Sequence, residues 1–242
     1  MIEIKNLSVK FKKENQKSIW GKEEQNVLKN LDFSVKNGEC VGILGESGSG
    51  KSTLGKVLCH LLKPNEGQCH IKGKVSIVFQ DYSSSANPRM TVREIMLESL
   101  RTHAQFRRKD SSECNQIIGQ YLEKVGLNKS YLFRLPHELS GGQMQRICIA
   151  RALATQAPII IFDEAVSSLD SHTQVEIMDM LKYIQNEENK TYVFITHDLL
   201  SAVYFCDRID FLYKGMFVES VAVSNLKKIT HPYAKQLMGA VI

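Results

Sequence analysis

"GESGSGKST", Gly45 to Thr53, decides the fold. It begins where a continuous apolar run, "CVGILG" (40–45), ends, and it leads directly into an apolar-periodic stretch, "TLGKVLCHLL" (53–62). A buried strand, a glycine-rich turn and a helix start, in that order, are the setting that the G-x-x-x-x-G-K-[ST] pattern requires. Gly45, Gly48 and Gly50 bare the backbone so that its N–H groups can wrap phosphate oxygens, with Glu46, Ser47 and Ser49 filling out the loop. Lys51 is placed for the β and γ phosphates, the Ser52 hydroxyl for Mg²⁺, and Thr53 follows on the new helix.

Outward from this loop the pattern is α/β. "VSIVFQ" (75–80), "PIIIFDE" (158–164) and "TYVFITHD" (191–198) are continuous apolar runs, as parallel strands covered on both faces must be. "IEIKNLSVKF" (2–11) and "VLKNLDFSV" (27–35) alternate instead and read as half-buried antiparallel strands, separated by a polar stretch that holds Trp20. In 173–184, Ile177, Met180, Leu181 and Ile184 form an apolar stripe that reads as core. Between Asp81 and Leu139 the spacing turns helical, with Val92, Ile95, Met96 and Leu100, then Ile117, Ile118, Tyr121, Leu122 and Val125, and no strand candidate intervenes. The expected organisation is a single domain over 1–242. Its α/β core and antiparallel lobe come from 1–80 and 146–242, and a helical subdomain comes from 81–145.

The ends of the apolar strands carry the chemistry. Asp163 closes "IIIFD" at the carboxyl edge of the sheet, where open α/β folds bind ligands, and is a candidate Mg²⁺ ligand. Glu164, next to it, can polarise an attacking water. Gln80 and His197 also follow apolar strands and fall on the same edge, and Asp170 follows in "SSLD". Each of these three alone is a weak signal: a glutamine after a strand is commonly a cap or loop residue, and a lone histidine is commonly satisfied structurally. "LSGGQMQR" (139–146) adds a second phosphate-type feature: Ser140 and Gln143 are spaced for a reciprocal cap, and Gly141 and Gly142 leave bare a helix start that attracts an anion.

Composition narrows the class. At 242 residues, 43% hydrophobic and 24% charged, the chain can bury a substantial core. No apolar run reaches the roughly 20 residues of a membrane span and the first residues lack a signal-peptide pattern, so a cytoplasmic location is expected. The formal charge of +5 is spread out and suits a solvated face near acidic lipid headgroups rather than nucleic acid. Six scattered cysteines read as reduced and packed, and the Cys59-His60 and Cys69-His70 pairs fit no common zinc spacing.

The order "GESGSGKST", "VFQD", "LSGGQMQR", "IIIFDEAVSSLD", "FITHD" resembles the nucleotide-binding subunits of ATP-binding cassette (ABC) transporters over essentially the whole chain. The resemblance implies a P-loop NTPase fold with a mostly parallel sheet, an antiparallel β lobe and a helical insert, and hydrolysis of ATP with Mg²⁺. It implies that Gln80 joins the site to a membrane partner and the metal, Glu164 is the catalytic base, and His197 contacts the γ phosphate. An aromatic near the end of the first strand stacks on adenine; Phe11 occupies that place and Trp20 is the alternative. Two cassettes meet head to tail, so that Ser140, Gly141, Gly142 and Gln143 of one close over ATP held by the other, with Asp170 at the same site. The implied partners are a second cassette, two membrane permeases and, through them, an extracytoplasmic binding protein, with the chain on the cytoplasmic membrane face.

"FQDYSSSANPRMTVREIM" (79–96) and "HPYAKQLMGAV" (231–241) resemble segments of oligopeptide, dipeptide and nickel importers, although Pro232 can equally start a short amphipathic helix in any α/β protein. Two departures stand out. The stretch from Lys51 to Gln80 is short, which suggests a trimmed β lobe, and Ala165-Val166 stand where the family more often has Pro-Thr. The chain lacks a cysteine-rich tail, so no iron–sulfur cluster is expected. An exporter cassette and a nucleic-acid-linked cassette ATPase remain as alternatives.

Overall fold

A computed structural model describes residues 1–12, 24–81, 85–107 and 109–239. The chain packs as two compact units, Met1–Gly73 with Thr191–Ile242, and Lys74–Lys190. Trp20 lies outside the described residues.

The first unit opens with an antiparallel lobe. Strand β1 (Ile2–Lys12) lies between β2 (Glu24–Val35) and β4 (Glu66–Ile71). Its buried apolar residues are Ile2 and Ile4, then Leu7 and Val9, so the alternation slips by one at Asn6. The pairing slips there too, from Ile4 opposite Phe33 to Leu7 opposite Leu31, and Asn6 takes a left-handed φ of 49°. An inserted residue of this kind re-aims the following side chains into the core. β2 compensates within the next turn of pairing, where Asn30 has φ 47° and donates its N–H to the Ser8 hydroxyl.

The same unit contains β3 (Cys40–Leu44), α1 (Lys51–Leu58), β7 (Thr191–Thr196), α6 (Leu199–Phe205), β8 (Arg208–Tyr213), β9 (Met216–Ala222) and α7 (Pro232–Gly239). β3 is flanked by β7 and β8, both parallel to it, and β9 joins β8 antiparallel. Every residue of β3 and β7 is buried, which explains their unbroken apolar character. Leu44, Leu199, Ala202, Ile209, Phe211, Ile229 and Ala234 form one apolar cluster that anchors α6 and the C-terminal segment to the strands.

In the second unit β5 (Val75–Phe79) pairs in parallel with β6 (Ile159–Asp163). Between them run α2 (Val92–Leu100), α3 (Ser111–Lys124) and α4 (Gly141–Ala154), and α5 (Ser171–Glu188) follows β6. Thr91 starts α2 with a reciprocal Thr–Glu cap, Asp110 caps α3, and Asp170 caps α5. α4 buries residues on nearly all sides because α2 and α3 both pack on it.

Candidate functional site

The glycine-rich loop between β3 and α1 is shaped by what packs behind it. A Cβ on Gly45 would sit 2.3 Å from the Leu212 carbonyl oxygen and 2.8 Å from Ser49 Oγ, so no larger residue fits. Gly50, at φ 109°, caps α1, and a Cβ there would meet Leu28 Cδ2 at 2.6 Å. The turn after β8 supports the loop as well, since Gly215 donates its N–H to the Ser49 carbonyl at 3.0 Å.

Lys51 is buried, and its ammonium donates to the carbonyls of Gly45 at 2.7 Å and Glu46 at 3.0 Å. The Glu46 N–H donates to the Tyr233 hydroxyl at 2.9 Å. Burial pushes the Tyr233 phenol above its ordinary range, so it is neutral near pH 7. Three features fit the loop to phosphate. α1 begins without a side-chain cap or an acid in its first turn, leaving its N–H groups and dipole for an anion. A Cβ on Gly48 would meet nothing within 4 Å, which leaves open space over the loop. Ser49 Oγ is buried with no hydrogen-bond partner among the described residues.

His197 belongs to this edge. Leu44 and Thr196 are register partners at the ends of β3 and β7, so Gly45 and His197 both leave the sheet at the same level. Asp198 next to it caps α6, accepting from the N–H groups of Leu200 and Ser201. Phe11 is 43% exposed near the end of β1, as a ring available for stacking must be.

The second unit has an edge of its own. Phe79 and Asp163 are register partners at the ends of β5 and β6, and Gln80 and Glu164 are the first residues beyond them. Phe79, Gln80, Asp81, Ser85, Arg151 and Asp163 line a cavity of about 440 Å³. Asp163 is 8% exposed, a carboxylate in keeping with a hard-cation ligand. Glu164 has φ 51°, an uncommon conformation for a residue with a side chain, and its carbonyl accepts from both the N–H and the hydroxyl of Ser167. Ala165 and Val166 are buried, so the turn forms without the Pro-Thr pair.

The helix α4 begins with the reciprocal cap that its spacing predicts. Gln143 donates its N–H to Ser140 Oγ at 3.3 Å, and the Ser140 N–H donates to Gln143 Oε1 at 2.9 Å. Gly142 has a second reason to lack a side chain: a Cβ would sit 2.9 Å from Thr173 Cγ2 on α5. Asp170 uses its carboxylate to accept from the N–H and the hydroxyl of Thr173, which holds it below the ordinary carboxylate range.

Another cavity, of about 580 Å³ and lined by residues of β1, β2, β8 and β9 such as Lys5, Phe33, Arg208 and Phe217, touches none of the motif residues. Of its charged groups, Lys5 pairs with Glu3, Arg208 pairs with Asp210 and with Glu39 beyond the lining, and Asp32 accepts from the Asn6 N–H. Among the described residues no cluster of three potential metal ligands occurs. No helix among them is long and apolar enough to cross a membrane.

Three contacts near the motifs were not visible in the sequence. The bond from Glu46 to Tyr233 spans 187 positions, and nothing local to either residue announces it. The approach of Thr173 to Gly142 and the bonds from Arg151 to Ser85 likewise join separate segments. Only the Pro232 helix start gave a partial signal for the first.

Comparison with known proteins agrees with this geometry. Residues 28–167 match the family model described as ABC transporter. The oligopeptide transport ATP-binding protein OppF of Streptococcus mutans is 37% identical, over 100% of this chain and 81% of that protein. The metal-staphylopine import system ATP-binding protein CntF of Staphylococcus aureus is 34% identical over 98% of each. Among solved structures, the dimeric bacterial ABC transporter cassette MJ0796 superposes with a TM-score of 0.80 at 32% identity, over 92% of this chain and 99% of that one. The same cassette in a dimeric post-hydrolysis state with ADP and Pi matches equally. The α/β fold, the glycine-rich loop between a buried strand and a helix, and these likenesses lead to one conclusion: the chain belongs to the ABC transporter family, as an ATP-hydrolysing cassette.

Proposed function

We propose that this chain is the energy-coupling subunit of an importer for nickel, metal-chelate complexes or short peptides. Two cassettes, identical or related, bind ATP head to tail, with Ser140, Gly141, Gly142 and Gln143 of one facing the phosphate loop of the other. Gly45 to Thr53 hold the phosphates through backbone N–H groups and Lys51, and Phe11 stacks on adenine. Ser52, Gln80 and Asp163 would hold Mg²⁺ through their side-chain oxygens, and the ion when bound would neutralise charge on the phosphate oxygens. Glu164 accepts a proton from the water that attacks the γ phosphorus. The bond from that phosphorus to the bridging oxygen breaks, and ADP leaves with the electron pair. His197 contacts the γ phosphate, and Asp170 helps form the site where the two chains meet.

The observation that carries this reading is the placement of the motif residues at paired strand ends: Gly45 and His197 after Leu44 and Thr196, Gln80 and Glu164 after Phe79 and Asp163. The import direction and cargo class draw support from relatives named for oligopeptide transport and metal-staphylopine import. Two permeases and an extracytoplasmic binding protein complete the assembly, which keeps the chain peripheral on the cytoplasmic membrane face.

The test is the ATPase rate of Glu164→Gln protein with and without the co-expressed permeases. Turnover is expected to fall by about 10²-fold or more while ATP stays bound and dimers accumulate. Full activity in the variant removes Glu164 from its role. Retention on DNA or RNA with a steep salt dependence, and no response to permease, would overturn the importer reading.

A further inference from the structure

The structure assigns to Tyr233 the role of a positioning residue that fixes the Gly45–Glu46 peptide of the phosphate loop, and through it the resting place of Lys51. The inference rests on reading Gly45 to Thr53 as the ATP phosphate cradle.

The Gly45 carbonyl and the Glu46 N–H belong to one peptide unit. Its N–H donates to the Tyr233 hydroxyl at 2.9 Å, and its carbonyl accepts from the Lys51 ammonium at 2.7 Å. A planar peptide holds these two groups antiparallel, so fixing the N–H fixes the carbonyl. Were the plane to turn over, a carbonyl would take the place of the N–H, and the lysine would lose one of its two loop acceptors. The contact supplies a partner to a backbone donor beside the turn read as the phosphate cradle.

The hydroxyl is held in place on several sides. Tyr233 is 6% exposed in the first turn of α7, and its ring packs on that of Tyr213 with centroids 4.2 Å apart. Tyr213 ends β8, directly after Leu212, whose carbonyl oxygen occupies the space a Gly45 side chain would need. The start of α7 is fixed in turn by Glu219 on β9. Its carboxylate accepts from the Thr230 N–H at 3.0 Å, the Thr230 hydroxyl at 3.2 Å and the His231 N–H at 2.7 Å. His231 Nδ1 accepts from the Tyr233 N–H at 3.2 Å. The "HPY" triplet is thus a bracket in which histidine and proline set the helix start and tyrosine reaches the loop. A purely amphipathic helix start would need neither the hydroxyl nor the glutamate.

The experiment is Tyr233→Phe, which keeps the ring and removes the hydroxyl. It is read by titration with ADP, ATPase kinetics, thermal melting without nucleotide, and amide exchange at Glu46. Leaving the Glu46 N–H unpaired is expected to weaken ADP binding by about 5- to 50-fold. KM for ATP should rise by a similar factor while kcat at saturation stays within about threefold, as loss of uniform binding predicts. The Glu46 amide should exchange faster with the melting temperature nearly unchanged. Glu219→Gln, which loosens the bracket without touching the phenol, should move ADP affinity and Glu46 exchange in the same direction. Unchanged ADP affinity and unchanged Glu46 exchange in Tyr233→Phe overturn the inference. So does an affinity loss matched by a general loss of stability in both variants, since that describes a merely structural tyrosine. Failure of the wild-type chain to bind ADP at all would instead overturn the phosphate-cradle reading.

Discussion

Arg151 and Ser85 are joined twice. One guanidinium nitrogen donates to the Ser85 carbonyl at 2.5 Å and the other to its hydroxyl at 3.3 Å. Because Arg151 stands on α4 and Ser85 lies shortly after Gln80, these bonds tie the segment beyond the glutamine to the helix that begins at Ser140. Cys148, one turn before Arg151, adds a sulfur contact to the same hydroxyl at 3.6 Å.

Arg151→Met, which keeps an unbranched apolar stem and removes the donors, is expected to loosen that segment. Losing a bond to a charged donor costs about 1.5–3 kcal/mol, so local opening should become at least tenfold more frequent. Trypsin cleavage after the exposed Arg89 reports it directly. Cleavage at the wild-type rate would mean that these bonds do not restrain the segment.

Gly142→Ala tests the approach of α5 to α4. The new methyl would lie 2.9 Å from Thr173 Cγ2, an overpacking expected to cost about 1–3 kcal/mol. Thr173→Ser removes the opposing methyl and keeps the hydroxyl that donates to Asp170. In that background Gly142→Ala should become neutral or stabilising, since alanine favours a helix by up to about 1 kcal/mol over glycine. Denaturant midpoints of the four proteins form a double-mutant cycle. Equal effects in both backgrounds would show that the contact does not limit this position.

Gly50→Ala and Gly48→Ala separate crowding from backbone strain. Both glycines have positive φ, 109° and 79°, but only Gly50 has atoms in the way, Leu28 Cδ2 at 2.6 Å and the Val27 carbonyl at 3.1 Å. The Gly48 variant should lose about 1–2 kcal/mol from conformation alone, and the Gly50 variant measurably more, together with at least tenfold weaker ADP binding. Urea denaturation and ADP titration compare them. Equal losses would mean that φ alone decides.

Acid should weaken the C-terminal bracket. The N–H groups of His231 and then Thr230 hold the Glu219 carboxyl below its ordinary value of 4.5. A carboxyl whose pKa is lowered by folding stabilises the folded state above its unfolded value, and that contribution is lost as pH falls through the folded one. The difference in urea midpoint between wild type and Glu219→Gln should therefore stay constant from neutral pH down to 4.5 and close on further acidification. A difference that persists at lower pH would assign it to something other than ionised Glu219.

Local signals were read well from sequence. The loop between β3 and α1 announces itself because strand, glycines and helix are contiguous, and the cap at Ser140 depends on residues only three apart. The stripe on α5 is legible at Ile177, Leu181 and Ile184, all buried, whereas Met180, which the spacing places with them, is half-buried and Met178 is buried as well. Met180 lies at the margin, with its sulfur accepting from Arg146 at 3.6 Å. Alternation in β1 hid the extra residue at Asn6, since a bulge changes phase without changing composition. The residues that hold the motif segments, Tyr233, Arg151 and Thr173, were not legible, because each is defined by a partner from another segment rather than by its own neighbours in sequence.

The backbone at Glu164 has an evolutionary price. Its left-handed conformation is one that glycine adopts freely and asparagine tolerates, so either would relax the turn after β6 by about 1 kcal/mol. A laboratory selection for heat resistance alone would drift toward those residues and discard the carboxylate with them. With Glu164 as the base proposed above, sturdier descendants that no longer cleave ATP are the outcome such a selection should deliver.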